Sequence, residues 1–310
     1  MSSALAVAPP ATVVLPEPAR APAVAVLDTI AEYAAALDEV RRSGRTVGVV
    51  PTMGALHAGH RSLIDRAARE CDVVAVSVFV NPTQFGDAGD LAAYPRDLGS
   101  DLQMVASAGG HLVFAPSVEE MYPDGAALLT TVSVPSLGVR LEGASRPGHF
   151  DGVATVVVKL LSAAGRCRAY FGAKDFQQLA LVTRVVRDLS LPTEVVGCET
   201  VRDPDGLALS SRNVRLSADQ RRSALVLSRA LRAAASAIAG GEERPAVVEA
   251  LMERTVAGEP SVELDYAVVV HADDLEPART CAGSRPLRLL IAAEVGPVRL
   301  IDNLDPHQGR

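Results

Sequence analysis

The chain has 310 residues, and its basic side chains are almost all arginine: the only lysines are Lys159 and Lys174. Neither lysine follows a glycine, which excludes the Gly-Lys-Ser/Thr of a Walker A phosphate loop and leaves a Schiff-base enzyme only two positions to use. A formal net charge of -7 argues against bulk polyanion binding, so no nucleic-acid partner is expected.

Residues 1–22 are rich in Ala and Pro, lack a basic start and read as a disordered tail rather than a signal peptide. Residues 27–43 have helical apolar spacing and stop before Gly44. TVGVVP (46–51) suits a buried strand, and about 59–70 reads as the next helix. DVVAVSVFVN (72–81) is almost continuously apolar and β-branched, the mark of a parallel strand covered on both faces. Strand, helix, strand is a βαβ unit. The alternation continues with a helix over 97–108, a strand over 111–116, a helix over 151–164, a strand over 168–172, a helix over 175–189 and a strand over 193–201. This predicts an α/β fold, a doubly wound Rossmann-like domain over 23–200.

Beyond it the order changes. Two Ala-rich helices, 217–239 and 244–257, precede VELDYAVVVH (262–271) and two apolar runs, RPLRLLIAAEV and PVRLIDNL. Helices followed by strands predict a smaller α+β domain over 201–304, with 305–310 as a tail. The four cysteines have long spacings and no C-x-x-C pair, as expected of free thiols in a reducing compartment. No apolar stretch of about 18 residues lacks a charge or a breaker, so no membrane span is expected. A cytoplasmic location follows as the expectation.

The chemistry gathers at strand–helix junctions. VPTMGALHAGH (50–60) lies between the first strand and the next helix, where open α/β sheets bind ligands. No G-x-G occurs in the chain, so this is not the dinucleotide fingerprint. His57 and His60 are three residues apart and can share a face where the helix begins. With Gly54 and Gly59 they offer a phosphate site whose imidazoles donate hydrogen bonds as charge develops. The plainer alternative is a Gly-rich turn with incidental histidines. In VFVNPTQFG (78–86), Asn81 and Gln84 suit a molecule bearing hydroxyls and a carboxylate; taken alone, an Asn-Pro turn is the simpler account. In FGAKDFQQ (171–178), Gly172 allows a turn, Lys174 and Asp175 open a helix, and Gln178 follows one turn on. A cation there meets phosphate naturally, although a solvated lysine fits as well. DGLALSSRN (205–213) brings Ser210, Ser211 and Arg212 to the domain boundary, where a lid could clamp phosphate; a polar linker is the alternative. RPGHFDGV (146–153) ranks second, with Arg146 and His149 ahead of a helix and Asp151 as its expected N-cap. No G-x-S-x-G is present. The set fits triphosphate binding and charge stabilisation better than a covalent enzyme intermediate.

PTMGALHAGH, FVNPTQF, AYPR, RPGHF, FGAKDFQQL and DGLALSSRN, in this order and spacing, resemble the pantoate–β-alanine ligase (pantothenate synthetase) family over about residues 25–303. H-x-G-H is similar to the H-I-G-H signature of the wider nucleotidyltransferase superfamily. The resemblance implies ATP-dependent condensation of pantoate with β-alanine through pantoyl adenylate, releasing pyrophosphate and then AMP. It implies that Pro51, Met53, Gly54, His57 and His60 line the ATP site, with His60 donating a proton to the leaving pyrophosphate. Gly172, Lys174 and Asp175 would contact ATP, and Val201 with Leu209 to Arg212 would close over it. His57, Lys174, Ser210, Ser211 and Arg212 would share the catalysis with His60. Gln84, Gln178 and Asn81 would hold pantoate and β-alanine. The resemblance also implies Mg²⁺ arriving with ATP and a homodimer through the N-terminal domain. The chain departs from the family pattern at Ala173, where Glu is usual, and at Leu209, where Met is usual; both are expected to be tolerated. Of the acidic pair and Gln that hold metal in some members, only Asp101 has a counterpart, so it is the one candidate metal ligand.

Two other readings stand beside this one. Another small-molecule nucleotidyltransferase of the superfamily would leave the N-P-T-Q-F and K-D-F-Q-Q segments without a purpose. A catalytically silent nucleotide-binding protein would not need the intact His, Lys, Gln and Ser-Ser-Arg set, and Ala173 is the only hint for it.

Overall fold

The structure, a computed structural model, describes residues 24–125 and 130–307. The expected tail over 1–22 lies outside these residues, as does the end of the 305–310 segment. Six strands form one parallel sheet in the order β1-β4-β3-β2-β5-β6. They are β1 Ala25–Leu27, β2 Val47–Thr52, β3 Val73–Val78, β4 Leu112–Phe114, β5 Cys167–Gly172 and β6 Thr193–Cys198. Side chains of successive residues point to opposite faces of a strand. Val47 and Val49 of β2 therefore join one core with the helices Ile30–Arg42, His149–Ala164 and Phe176–Asp188. Val50 joins a second core on the other face with Leu63, Ile64 and Ala67 of the helix Ala58–Glu70 and Val105 of the helix Leu98–Ser107. This is the doubly wound arrangement that the apolar strands predict.

Strand order reverses between β2 and β5, and ligands bind at such a switch point beyond the carboxyl ends of the strands. Here the two strands pair only through Gly48↔Arg168 and Val49↔Ala169. Pro51 accounts for the early parting. Thr52 turns its carbonyl to β3, where it accepts from the Phe79 N–H at 3.2 Å. Position 51 therefore faces β5, and proline has no N–H to offer there. The crevice opens between the loop after β2 and the turn after β5.

A second, antiparallel sheet has the order β7-β8-β9: β7 Val262–His271, β8 Leu287–Val295 and β9 Val298–Leu304. The helices Ala218–Ala239 and Pro245–Ala257 cover it around a core of their own. The two parts meet through Arg299, whose guanidinium pairs with Glu142 at 2.6 Å, and through Tyr266, whose hydroxyl donates to Glu142 at 2.9 Å.

Several boundaries differ from expectation. β1 pairs with β4 (Ala25↔Leu112) but is too short to show a periodicity, and it takes the start of the segment read as helix. That helix begins at Ile30 behind a Thr29–Glu32 capping box. The helix expected from Asp151 begins at His149; Gly148, at φ +78°, is its N-cap, and Asp151 lies in the first turn, where a carboxylate favours the positive helix end. The strand expected over 193–201 stops at Cys198, and the chain then turns so that Arg202 bridges Ala208.

Candidate functional site

The loop after β2 is shaped by Asp101. Its carboxylate accepts from the N–H groups of Ala55 at 3.1 Å and Leu56 at 2.8 Å, although it comes from a helix 45 residues further along the chain. Those contacts hold Gly54 and Ala55 in left-handed conformations, φ +82° and +50°. A Cβ on Gly54 would lie 2.9 Å from Asp101 Oδ2, so the position requires glycine. Asp101 is thus a loop anchor. Among the described residues no three His, Cys, Asp or Glu side chains gather at a metal site, so none of them forms an all-protein cage for Mg²⁺.

The two histidines cap the helix Ala58–Glu70 reciprocally. His57 is the N-cap and its Nδ1 accepts from the Gly59 N–H at 3.1 Å; His60 Nδ1 accepts from the His57 N–H at 3.4 Å. The ring centroids are 4.1 Å apart. The spacing of H-x-G-H follows from this geometry, since a Cβ on Gly59 would lie 2.8 Å from the His57 ring. Because each Nδ1 accepts, each neutral ring carries its proton on Nε2 and keeps that donor for a ligand. Both rings stay neutral near pH 7. Burial, then the neighbouring His57, lowers His60 to about 4, and burial, then the Lys174 ammonium, lowers His57. These are two neutral N–H donors at the positive end of a helix, a preorganised oxyanion site.

Lys174 sits in the turn after β5. Its Nζ donates to Asp175 Oδ1 at 3.1 Å, and its side chain is only 17% exposed. Val201 and Leu209 face each other across the next loop, with the Leu209 N–H donating to the Val201 carbonyl at 2.9 Å. Leu209 stands over the helix start, with its Cβ 4.0 Å from where a Gly59 Cβ would be. Ser210 Oγ accepts from the Arg212 N–H at 3.3 Å, and Ser211 begins a short 3₁₀ turn. Ser211 and Arg212 are exposed. This loop hangs from the second part of the chain: Arg221 pairs with Asp203 and Asp205, each at 2.7 Å, and Arg202 pairs with Asp302 at 2.7 Å.

The opposite wall starts from two buried neutral amides, Asn81 and Gln84. Gln84 donates from Nε2 to Met53 Sδ at 3.0 Å, and its Oε1 accepts from Asn81 Nδ2 at 3.0 Å. Asn81 is 1% exposed, and its Oδ1 also accepts from the Tyr122 hydroxyl at 2.8 Å, so Asn81 fixes Gln84. Lys159, without an expected role, lies 5.7 Å from the centre of the Tyr122 ring. His149 Nδ1 donates to the Gln84 carbonyl at 2.8 Å, so its Nε2 accepts from Arg146 Nη1 at 3.1 Å. Burial, then Arg146, holds His149 down to about 4; burial, then the Arg212 charge, lowers Arg146. Arg146 makes no ion pair among the described residues, which marks it as a cation held ready for an anion.

The two glutamines of K-D-F-Q-Q divide the labour. Gln178 is half-buried and makes no side-chain hydrogen bond among the described residues. Gln177 is buried; its Nε2 donates to the carbonyls of Leu137 at 2.7 Å and Arg140 at 2.8 Å, and its Oε1 accepts from the Glu142 N–H at 3.1 Å. Sequence spacing does not reveal Gln177, Glu142 or the pair Asp302 and Asn303. The last pair did leave a signal: two polar residues interrupt the otherwise apolar run LIDNL.

Comparison with known proteins gives a consistent answer. The profile of the pantoate-beta-alanine ligase family matches residues 25–305. A pantothenate synthetase of Chelativorans sp. (strain BNC1) is 52% identical over 281 residues, covering 91% of this chain and 97% of its own length. One from Rubrobacter xylanophilus is 53% identical over 268 residues, covering 85% and 92%. The crystal structure of pantothenate synthetase from Thermus thermophilus superposes with a TM-score of 0.83 at 47% identity, covering 91% of this chain and 99% of that one. The Francisella tularensis pantoate-beta-alanine ligase, complexed with beta-gamma ATP and beta-alanine, gives 0.72 at 35% identity, covering 93% and 99%. With the six-stranded parallel sheet, the paired histidines and the lysine turn in place, the chain belongs to the pantoate–β-alanine ligase family.

Proposed function

We propose that this chain condenses pantoate with β-alanine at the expense of ATP, in two steps at one crevice. The pantoate carboxylate attacks the α-phosphorus of ATP, the bond to the bridging oxygen breaks, and pyrophosphate leaves. His60 and His57 donate from Nε2 to the departing phosphates, and Lys174 balances their charge. Ser210, Ser211 and Arg212 close over the nucleotide, with Met53, Gly54, Val201 and Leu209 as the walls. Phosphoryl transfer of this kind relies on positioning and charge stabilisation, which is what these groups supply. The amine of β-alanine then attacks the acyl carbon, and AMP leaves. Gln84 and Gln178 hold the pantoate, with Asn81 acting through Gln84. Arg146, steadied by His149, is suited to the β-alanine carboxylate. Mg²⁺ would accompany ATP, whose phosphates leave few ligands for the protein to supply. Residues 23–200 would be the catalytic body and 201–304 the lid. Family resemblance supports a homodimer through the first domain, and free buried cysteines support a cytoplasmic setting.

The reading rests most on the reciprocal His57–His60 cap beside Lys174. Pyrophosphate exchange into ATP tests it: exchange should require pantoate alone, and AMP should form only when β-alanine is added. Exchange with nicotinate mononucleotide in place of pantoate would overturn it in favour of a sister nucleotidyltransferase.

A further inference from the structure

Lys174 has one ion-pair partner among the described residues, the neighbouring Asp175, so the place of its ammonium is set by the backbone of its turn. That turn, Ala173–Asp175, is a single 3₁₀ step with no side-chain cap of its own. Its carbonyls are taken instead by a residue 129 positions away. Asn303 of β9 donates from Nδ2 to the carbonyls of Ala173 at 2.9 Å and Lys174 at 2.8 Å. The rest of the side chain is also committed: Oδ1 accepts from Arg288 Nε at 2.8 Å, and the Arg288 guanidinium lies 4.3 Å from the centre of the ring of Phe176, the next residue after the turn. Asn303 is 3% exposed. An amide buried in a strand costs free energy unless every polar atom is paired, and here each one is paired with the lysine turn or with Arg288 beside it. Packing alone therefore does not call for asparagine here.

Its neighbour on the strand points the same way. Asp302 takes Arg202 in a bidentate pair at 2.7 and 2.9 Å, at the root of the loop that carries Leu209 to Arg212. The Asn303 backbone N–H donates to Asp302 Oδ1 at 2.7 Å and so helps to hold that carboxylate against Arg202. One dipeptide thus holds both the lysine turn and the clamp loop.

We infer that Asn303 is a positioning residue for Lys174, fixing the lysine turn to the strand whose preceding residue fixes the clamp. The inference rests on the ligase reading for the role of Lys174, but not for its contact with ATP. The experiment is a double-mutant cycle of Asn303→Asp and Lys174→Ala, read as kcat and KM of pantoate-dependent pyrophosphate exchange and as the Kd of ATP. Asn303→Asp keeps the size and turns the donor into an acceptor facing two carbonyls. It should lower kcat by about 10-fold or more with the pantoate KM unchanged, the scale of misplacing a catalytic group. On top of Lys174→Ala it should add less than about twofold, because the group it positions is gone. Full multiplication of the two losses, or a wild-type kcat in Asn303→Asp, would overturn the inference. If Asn303→Asp does not fold, Asn303→Ser retains one donor and should show a smaller loss with the same non-additivity. If the wild type itself fails to exchange with pantoate, the ligase reading falls, and the ATP Kd cycle alone decides the coupling: additive losses of affinity would refute it.

Discussion

Replacing Lys174 is the sharpest test of how the site stabilises charge. The Nζ is 3.1 Å from Asp175, whose side chain is 52% exposed, whereas the lysine is 17% exposed. Its nearest counter-charge is therefore largely solvated, and the ammonium is free to act on phosphate. Two unit charges about 4 Å apart at an effective dielectric of about 20 interact by about 4 kcal/mol. At about 1.4 kcal/mol per decade this is close to a thousandfold in rate. Water entering the vacated space would return part of it. Lys174→Ala should therefore slow pantoate-dependent pyrophosphate exchange by about 10²–10³-fold, as expected for one lost charge-stabilising donor. Lys174→Arg keeps the charge but replaces a compact ammonium with a planar fork, in a half-buried setting whose backbone Asn303 holds. It should still cost about 10-fold or more. The assay is single-turnover exchange at saturating ATP and pantoate. A loss below about 10-fold in Lys174→Ala would refute the electrostatic role, and a wild-type rate in Lys174→Arg would show that charge alone suffices.

Three further outcomes follow from the geometry. Burial foremost holds His60 and His149 at about 4, while an unfolded histidine titrates near 6.5, so the unfolded chain binds more protons between these values. Stability should therefore fall as pH drops from about 6.5 to about 4, and His60→Asn should shallow the fall in melting temperature; an unchanged profile would contradict it. Gly152→Ala would place a Cβ 2.4 Å from the Thr83 carbonyl, beside Gln84. It should cost about 1–3 kcal/mol in urea unfolding and raise the pantoate KM, and neutrality in both would show that the helix contact is slack. Asp101→Asn removes the charge and turns one of the two acceptors under the loop after β2 into a donor, and should raise the ATP KM by about 10-fold with an unaltered Mg²⁺ dependence. A shifted Mg²⁺ dependence would instead restore Asp101 as a metal ligand.

Much of the architecture was legible because its causes are local. Continuous β-branched runs such as Val73–Val78 can serve only as strands covered on both faces, and the helices between them carry their own spacing. H-x-G-H was legible for the same reason: ring, glycine and ring lie within four residues of one helix start. What escaped was long-range. β1 is three residues whose only reason to be a strand is β4, 87 positions on. The N-cap expected at Asp151 falls on Gly148, whose left-handed φ of +78° turns the chain into the helix three residues earlier. Asp101 reads as a metal-ligand candidate in the linear sequence, and its anchoring of the loop shows only once folding brings Ala55 and Leu56 to it. Asn303 had only its polarity within an apolar strand to give it away. A side chain that acts on a distant backbone leaves no spacing to read.

The two-step route requires the pantoate carboxylate to attack the α-phosphorus of ATP. This can be followed directly by turning over pantoate labelled with ¹⁸O in its carboxylate, together with ATP and β-alanine. The attacking oxygen becomes the bridge of the acyl adenylate and departs with the phosphorus when the amine displaces it. One ¹⁸O per turnover should therefore appear in AMP and none in pyrophosphate. Unlabelled AMP, or label in the pyrophosphate, would contradict the adenylate route.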